Sequence, residues 1–268
     1  MLRFLLVFAL ICMGQSCWAT IVLSGDSLTD PEPPTGYAGL LDLTDLDVFE
    51  TIARGGLRAE QYNGVAASDT DDDGNPVFIN YGQLVVDLDP ATIVFLLGAN
   101  DALPTEDPAF PDGRLNQFKR NVGGREGRPD FPGVFGLFEA STASRVIVLS
   151  LLPVDEAAIA NTTFGNNTNR GPGMNQRITD GYNPWLQEQA MLRPNFEYLD
   201  LHTQVIDEIG LDNWKQDYLV DGLHLSAIGN QWLANKVAAA AVPEPSSALN
   251  VSLLTCIFGG LRWSRRKR

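Results

Sequence analysis

The sequence predicts a three-layer α/β sandwich, in which a central, mostly parallel sheet is covered by helices on both faces. Two observations carry that expectation. Short runs rich in β-branched residues recur at 20–23, 91–97 and 145–152, and they are apolar throughout instead of alternating. Strands of that kind are buried on both faces, as a parallel sheet between helical layers requires. Helical patterns fall between the runs, and alternation of strand and helix is what crossover connections between parallel strands produce. The strand order expected of such a chain is flavodoxin-like.

Thr20-Ile21-Val22-Leu23 opens the sheet, and residues 48–52 and 196–199 are weaker strand candidates that complete it. Helical periodicity is found at 115–122, 185–192 and 226–237. The last of these opens with Ser226 as N-cap and sets Ile228, Trp232, Leu233 and Val237 on one stripe. Two polar segments, 68–76 and 160–173, are long enough to border a substrate groove.

Both ends read as processing segments. Arg3 precedes an apolar run from Phe4 to Met13, and Cys17-Trp18-Ala19 then offers the small residues that signal peptidase needs at −3 and −1. A run of about ten apolar residues is too short for a bilayer core of roughly 30 Å, so residues 1–19 are expected to be a signal peptide. At the other end, Val242-Pro243-Glu244-Pro245-Ser246 leads into a mostly apolar stretch at 248–261 and a basic tail from Arg262 to Arg268. That ordered trio, at 242–268, resembles the PEP-CTERM sorting signal. The resemblance implies recognition by an exosortase and delivery to a bacterial envelope, with the basic cluster kept on the cytoplasmic side. One domain is expected between the ends, at 20–241, a length that fills a single core.

Acidic residues outnumber basic ones by 33 to 19, for a net charge of −14. Arg3 and the tail cations lie in the removable ends, so the domain is more acidic still. Such a surface repels phosphate polymers and argues against a nucleic-acid partner. Cys12, Cys17 and Cys256 also lie in the ends. The domain therefore has no disulfide, no cysteine metal site and no cysteine nucleophile.

Chemistry-bearing residues collect where strands end. Directly after the first strand comes Ser24-Gly25-Asp26-Ser27-Leu28-Thr29-Asp30. A serine on the turn leaving a buried parallel strand sits at the carboxyl edge of the sheet, where open α/β folds place their sites. Gly25 permits a tight turn there, and a following helix would aim its first N–H groups at the same spot. A serine hydroxyl is a poor nucleophile at neutral pH; it needs a base with a pKa near 7, itself held in one tautomer by an acceptor. Asp221-Gly222-Leu223-His224, just before the last helix, supplies both on one turn. His202, the other histidine, has no acid at that spacing and reads as structural. Gly98-Ala99-Asn100-Asp101 follows the 91–97 strand, and an Asn100 amide there can donate to a developing oxyanion without adding charge.

In order and separation these segments resemble the blocks of the SGNH (GDSL) hydrolase family, named for Ser, Gly, Asn and His. The resemblance spans the trimmed domain, including 149–153 and 175–186. It implies the flavodoxin-like SGNH hydrolase fold and a serine esterase that needs no cofactor. By similarity Ser27 is the nucleophile, His224 the base and Asp221 its orienter, with an oxyanion hole formed by the N–H groups of Ser27 and Gly56 and the amide of Asn100. The glycine block is the imperfect match. The family usually carries Asn five residues before the oxyanion glycine; here Thr51 stands before Gly56. Gly55 is the alternative, and a register two residues later would put Arg58 at that place. Leu225 also stands where a proline often follows the family histidine.

Asp69-Thr70-Asp71-Asp72-Asp73-Gly74-Asn75 has acids at first, third and fifth positions followed by glycine, the pattern that wraps oxygen ligands around Ca²⁺. Asp69, Asp71 and Asp73 are thus candidates for a structural Ca²⁺ site. Asn80 occupies the twelfth position, where an EF-hand wants a bidentate Glu, so the alternative is a solvated acidic loop. The function expected of the chain is a secreted serine esterase. An acetylated polysaccharide is its expected substrate, by analogy with the sorting signal and with carbohydrate esterases of the family. Two alternatives stand beside it. A lipase or lysophospholipase-like acyl hydrolase would need an apolar groove beside Ser27. A non-catalytic surface binding protein on the same fold is favoured by the departure at Thr51 and opposed by the presence of Ser27, Asn100, Asp221 and His224.

Overall fold

The computed structural model describes residues 20–30, 36–42, 49–71, 73–103, 114–128, 130–141, 145–162 and 173–241. The segments expected to be a signal peptide and a sorting signal lie outside the described residues, as do 163–172 of the second polar segment. Five strands, β1 (Ile21–Gly25), β2 (Phe49–Ala53), β3 (Thr92–Leu96), β4 (Arg145–Leu149) and β5 (Phe196–Leu199), form one sheet. All neighbours pair in parallel, in the order β2-β1-β3-β4-β5. This is the flavodoxin-like order, with its switch point between β1 and β3. Every residue of β1 and β3 is buried, which is why their sequences run apolar without alternation.

One helical layer pairs α1 (Tyr37–Asp42) with α6 (Ala227–Ala241). The other joins α2 (Tyr81–Asp87), α3 (Leu115–Gly123), α4 (Gly133–Ala140) and α5 (Asn183–Met191). An aromatic cluster binds this second layer to the sheet: the Phe95 ring meets Phe135 and Phe138 edge-on at 5.3 and 5.7 Å, and Trp185 stacks on Phe135. Such pairs add to the stabilisation from burying the rings.

The helix expected at 185–192 begins earlier, because helical backbone runs on from Met174–Arg177 through a π-helical stretch, Ile178–Tyr182. Pro184 has no N–H to continue the ladder, and Asn183 donates instead to the Ile178 carbonyl five residues back. Ser226 does cap α6, its hydroxyl accepting the Gly229 N–H at 3.3 Å. Ile228, expected on the buried stripe, is 57 % exposed. The buried face is centred on Gly229, Leu233 and Val237, which leaves Ile228 rotated toward solvent.

Gly25 marks the closest backbone approach in the sheet. A Cβ there would lie 2.0 Å from the Leu96 carbonyl oxygen and 2.5 Å from the Thr29 hydroxyl. The clash is with paired backbone that cannot rotate away, so Gly25→Ala is expected to lower stability by about 3 kcal/mol, the upper end for overpacking. A shift in the urea midpoint checks this; an unchanged midpoint would contradict the packing described.

Candidate active site

Ser27 stands on a single helical turn at the exit of β1, where the Thr29 and Asp30 N–H groups both donate to the Asp26 carbonyl at 2.9 Å. Below it the Asp26 side chain is fully buried and accepts N–H bonds from Leu28 at 3.2 Å and from Gly98 at 3.3 Å. One carboxylate thereby ties the serine turn to the turn that carries Asn100. Burial pushes the Asp26 carboxyl up to about 6, although those N–H bonds and the facing His224 pull the other way.

A second buried carboxylate, Asp101, accepts the Ala59 N–H at 3.0 Å and is pushed up to about 7, by burial first and then by Asp26. It connects the Asn100 turn to the loop of Gly55 and Gly56. Asn100 reaches the same loop, its amide donating to the Leu57 carbonyl at 3.1 Å. An asparagine amide has two N–H donors, so one remains after that bond.

The 221–224 turn is closed by the carboxylate of Asp221, which accepts the Leu223 and His224 N–H groups at 3.0 and 2.8 Å. Its other oxygen meets His224 Nδ1 at 2.7 Å, and His224 Nε2 lies 3.1 Å from Ser27 Oγ. Burial alone would raise the Asp221 carboxyl, yet the bonds from the His224 ring and the two backbone N–H groups outweigh it and hold Asp221 below the usual carboxylate range. The Asp221 hydrogen bond raises His224 above its ordinary value against partial burial, with the charges of Asp221 and Asp26 adding to the rise. With Asp221 ionised, Nδ1 keeps its proton and Nε2 turns a lone pair to the serine.

The glycine loop offers three backbone N–H groups near the serine turn. Gly55 donates to Asp30 Oδ2 at 2.7 Å and Arg58 donates to Gln61 Oε1 at 3.1 Å. Gly56, in the left-handed region at φ 76°, has no recorded partner for its N–H among the described residues. Thr51, where the family carries Asn, has a buried hydroxyl with no hydrogen-bond partner among the described residues. The cavity over Ser27 has a volume of about 420 Å³, and its walls mix Asp30 and Asn230 with Leu28, Val220 and Leu225.

The structure brings Ser27, His224 and Asp221 into one hydrogen-bonded line, and places Asn100 beside the glycine loop. His202 is elsewhere, at the start of the helix Leu201–Glu208, its backbone bonded to the Ser150 hydroxyl. Asp69, Asp71 and Asp73 are not gathered as Ca²⁺ ligands: Asp69 pairs with Arg54 at 2.7 Å, and Asp71 accepts the N–H groups of Asp73 and Asn75 within its own loop. Among the described residues no group of three or more acids, histidines or cysteines is arranged to hold a metal ion. Sequence reasoning missed the clamps made by Asp26 and Asp101. An acid within the glycine-containing segment that leaves a buried apolar strand was the available signal in both cases, Asp26 directly after β1 and Asp101 five residues after the end of β3.

The profile of the GDSL-like Lipase/Acylhydrolase family matches residues 23–232. The chain belongs to that family and is an ester-bond hydrolase of the SGNH type. Solved structures share the fold at low identity. A protein from Streptococcus pneumonia, provisionally assigned as a platelet activating factor, aligns at TM-score 0.54 and 18% identity, over 85% of this chain and 86% of its own. A Lactobacillus plantarum protein aligns at 0.51 and 16%, over 82% and 95%. A Slackia heliotrinireducens protein, provisionally assigned as an SGNH hydrolase, aligns at 0.50 and 13%, over 84% and 99%. No protein of curated function matches the chain.

The raised pKa of His224 has a kinetic consequence. A base must be unprotonated, so kcat/KM is expected to fall with decreasing pH through a midpoint above 6.5. Asp221→Asn removes the charge that raises His224 and the acceptor that fixes its tautomer. It is expected to move that midpoint down and to cut kcat by about 10⁴. A pH profile of both proteins tests this, and an unmoved midpoint would contradict it.

Proposed function

We propose that this protein is a secreted serine esterase that removes short acyl groups, acetyl above all, from polysaccharide by an acyl-enzyme mechanism. The observation that carries the chemistry is the line Asp221–His224–Ser27, with contacts of 2.7 and 3.1 Å. Ser27 Oγ attacks the ester carbonyl while His224 Nε2 takes its proton. The oxyanion is received by the N–H groups of Ser27 and Gly56 and by the free N–H of the Asn100 amide. Gly56 is preferred to Gly55 and Arg58 because the N–H groups of those two are already engaged. His224 then gives its proton to the leaving alcohol, and water hydrolyses the acyl-enzyme by the reverse path. Every step uses side chains and backbone N–H groups of this chain, so no cofactor is required.

Support for a short acyl group comes from the size and mixed polarity of the cavity at Ser27, about 420 Å³ with Asp30 and Asn230 in its walls. A lipase-like site would present a longer apolar groove there. The polysaccharide substrate and the envelope location rest on residues 1–19 and 242–268, whose patterns suit signal peptidase and exosortase.

Hydrolysis of p-nitrophenyl acetate, butyrate and octanoate tests this reading. Activity is expected to fall with chain length and to vanish in Ser27→Ala, whereas a preference for octanoate would favour the lipase-like alternative. Asn100→Ala should lower kcat by about a hundredfold or more, the usual loss for one oxyanion donor. A loss of tenfold or less would remove Asn100 from that role.

A further inference from the structure

A groove larger than the cavity at Ser27 lies away from it. It has a volume of about 1000 Å³ and opens where α3 ends, against residues 124–128, 131 and 132. It shares no residue with the cavity at Ser27. Arg114, next to the start of α3, pairs with Glu60 near the glycine loop, and a helix of nine residues rises about 13 Å, so the groove sits at the far end of that helix.

Its charge is out of keeping with the chain. The protein carries a net charge of −14, yet Lys119, Arg120, Arg125 and Arg128 all line this groove, against one acid, Glu126. Elsewhere the described cations are mostly spent: Arg54, Arg114, Arg145, Arg193 and Lys236 each hold an ion pair. In the groove only Arg128 does, with Asp130. Lys119, Arg120 and Arg125 form no ion pair among the described residues. The dipole of α3 favours cations at its end and accounts for Lys119 and Arg120. It does not account for Arg125, which lies beyond the helix with its guanidinium 4.4 Å from the Phe131 ring centroid. Trp185, stacked on Phe135, supplies a second aromatic surface.

We infer that this groove is a binding site for an acidic oligosaccharide, held by its carboxylates on Lys119, Arg120 and Arg125 and by its ring faces on Phe131 and Trp185. Guanidinium and ammonium groups match carboxylates. Flat aromatic surfaces suit the apolar faces of sugar rings. A uronate chain offers both features in every unit, a carboxylate for a cation and an apolar ring face for an aromatic side chain. The site does not depend on the ester chemistry, and it would anchor an acidic glycan at a point removed from Ser27.

The test is calorimetric titration of the full chain, as Ser27→Ala, with oligogalacturonate. Saturable binding is expected, weakened at least tenfold by the double substitution Lys119→Gln, Arg120→Gln and by raised salt. In the background that keeps Ser27, the same double substitution should leave p-nitrophenyl acetate hydrolysis unchanged, which separates this site from the ester site. Arg125→Gln provides an independent variant on the loop, to be read alone if the double variant melts early. The inference is overturned by absence of saturable binding, by equal binding of neutral dextran, by binding insensitive to both variants, or by tighter binding of single-stranded DNA, which would make the groove a phosphate-polymer site.

Discussion

A single buried carboxylate holds the exits of the two central strands together. Asp26 follows β1 and takes the N–H of Gly98, which follows β3, so the two sides of the topological switch point share one acceptor. Backbone pairing ends where the Asp26 N–H donates to the Leu96 carbonyl at 3.4 Å, and the side chain extends the link to Gly98. Burying the side chain carries a desolvation cost that raises its pKa to about 6, and the N–H donors offset part of that cost. Asp101 repeats the device between the β3 exit and the glycine loop. The three loops of Ser27, Asn100 and Gly56 are thereby fixed to one another by two side chains.

Positioning continues on the other side of the serine turn. Asn230 of α6 accepts the Tyr37 N–H at 3.0 Å, and the Tyr37 hydroxyl donates to Thr29 at 3.2 Å, so α1 and α6 both brace the turn two residues beyond Ser27. The same α6 follows directly from the 221–224 turn that brings His224 across. Preorganisation of this kind matters because donors and base must already be in place when charge develops. Asp30 adds a further constraint, since its bond to Gly55 orients the loop in which Gly56 adopts its positive φ.

Much of this was legible in the sequence, and the physical reasons are specific. β1 and β3 were readable because burial on both faces removes alternation, and Phe196–Leu199 was found at its bounds. The line of Ser27, His224 and Asp221 was readable because each residue sits in a short turn beside a strand or helix end, where local sequence sets geometry. Ile228 was misplaced because a stripe of apolar residues does not fix the helix rotation when glycine and alanine let the partner helix approach another face. The loop of Asp69, Asp71 and Asp73 has Ca²⁺ spacing, but which carboxylates converge depends on Arg54 and Asn75, and no spacing rule includes them. The roles of Asp26 and Asp101 are long-range hydrogen bonds, invisible until the strand order is known. The groove at Arg125 is likewise a product of packing between α3, α5 and the loop after α3.

The central claim is that Ser27 is a nucleophile activated by His224. Intact-mass analysis after treatment with a fluorophosphonate reads it directly, because only an activated serine displaces fluoride at a useful rate. The account predicts one adduct, on Ser27, formed readily by the wild type and hardly at all by His224→Ala. An adduct on another serine, or labelling of Ser27 that does not depend on His224, would contradict it.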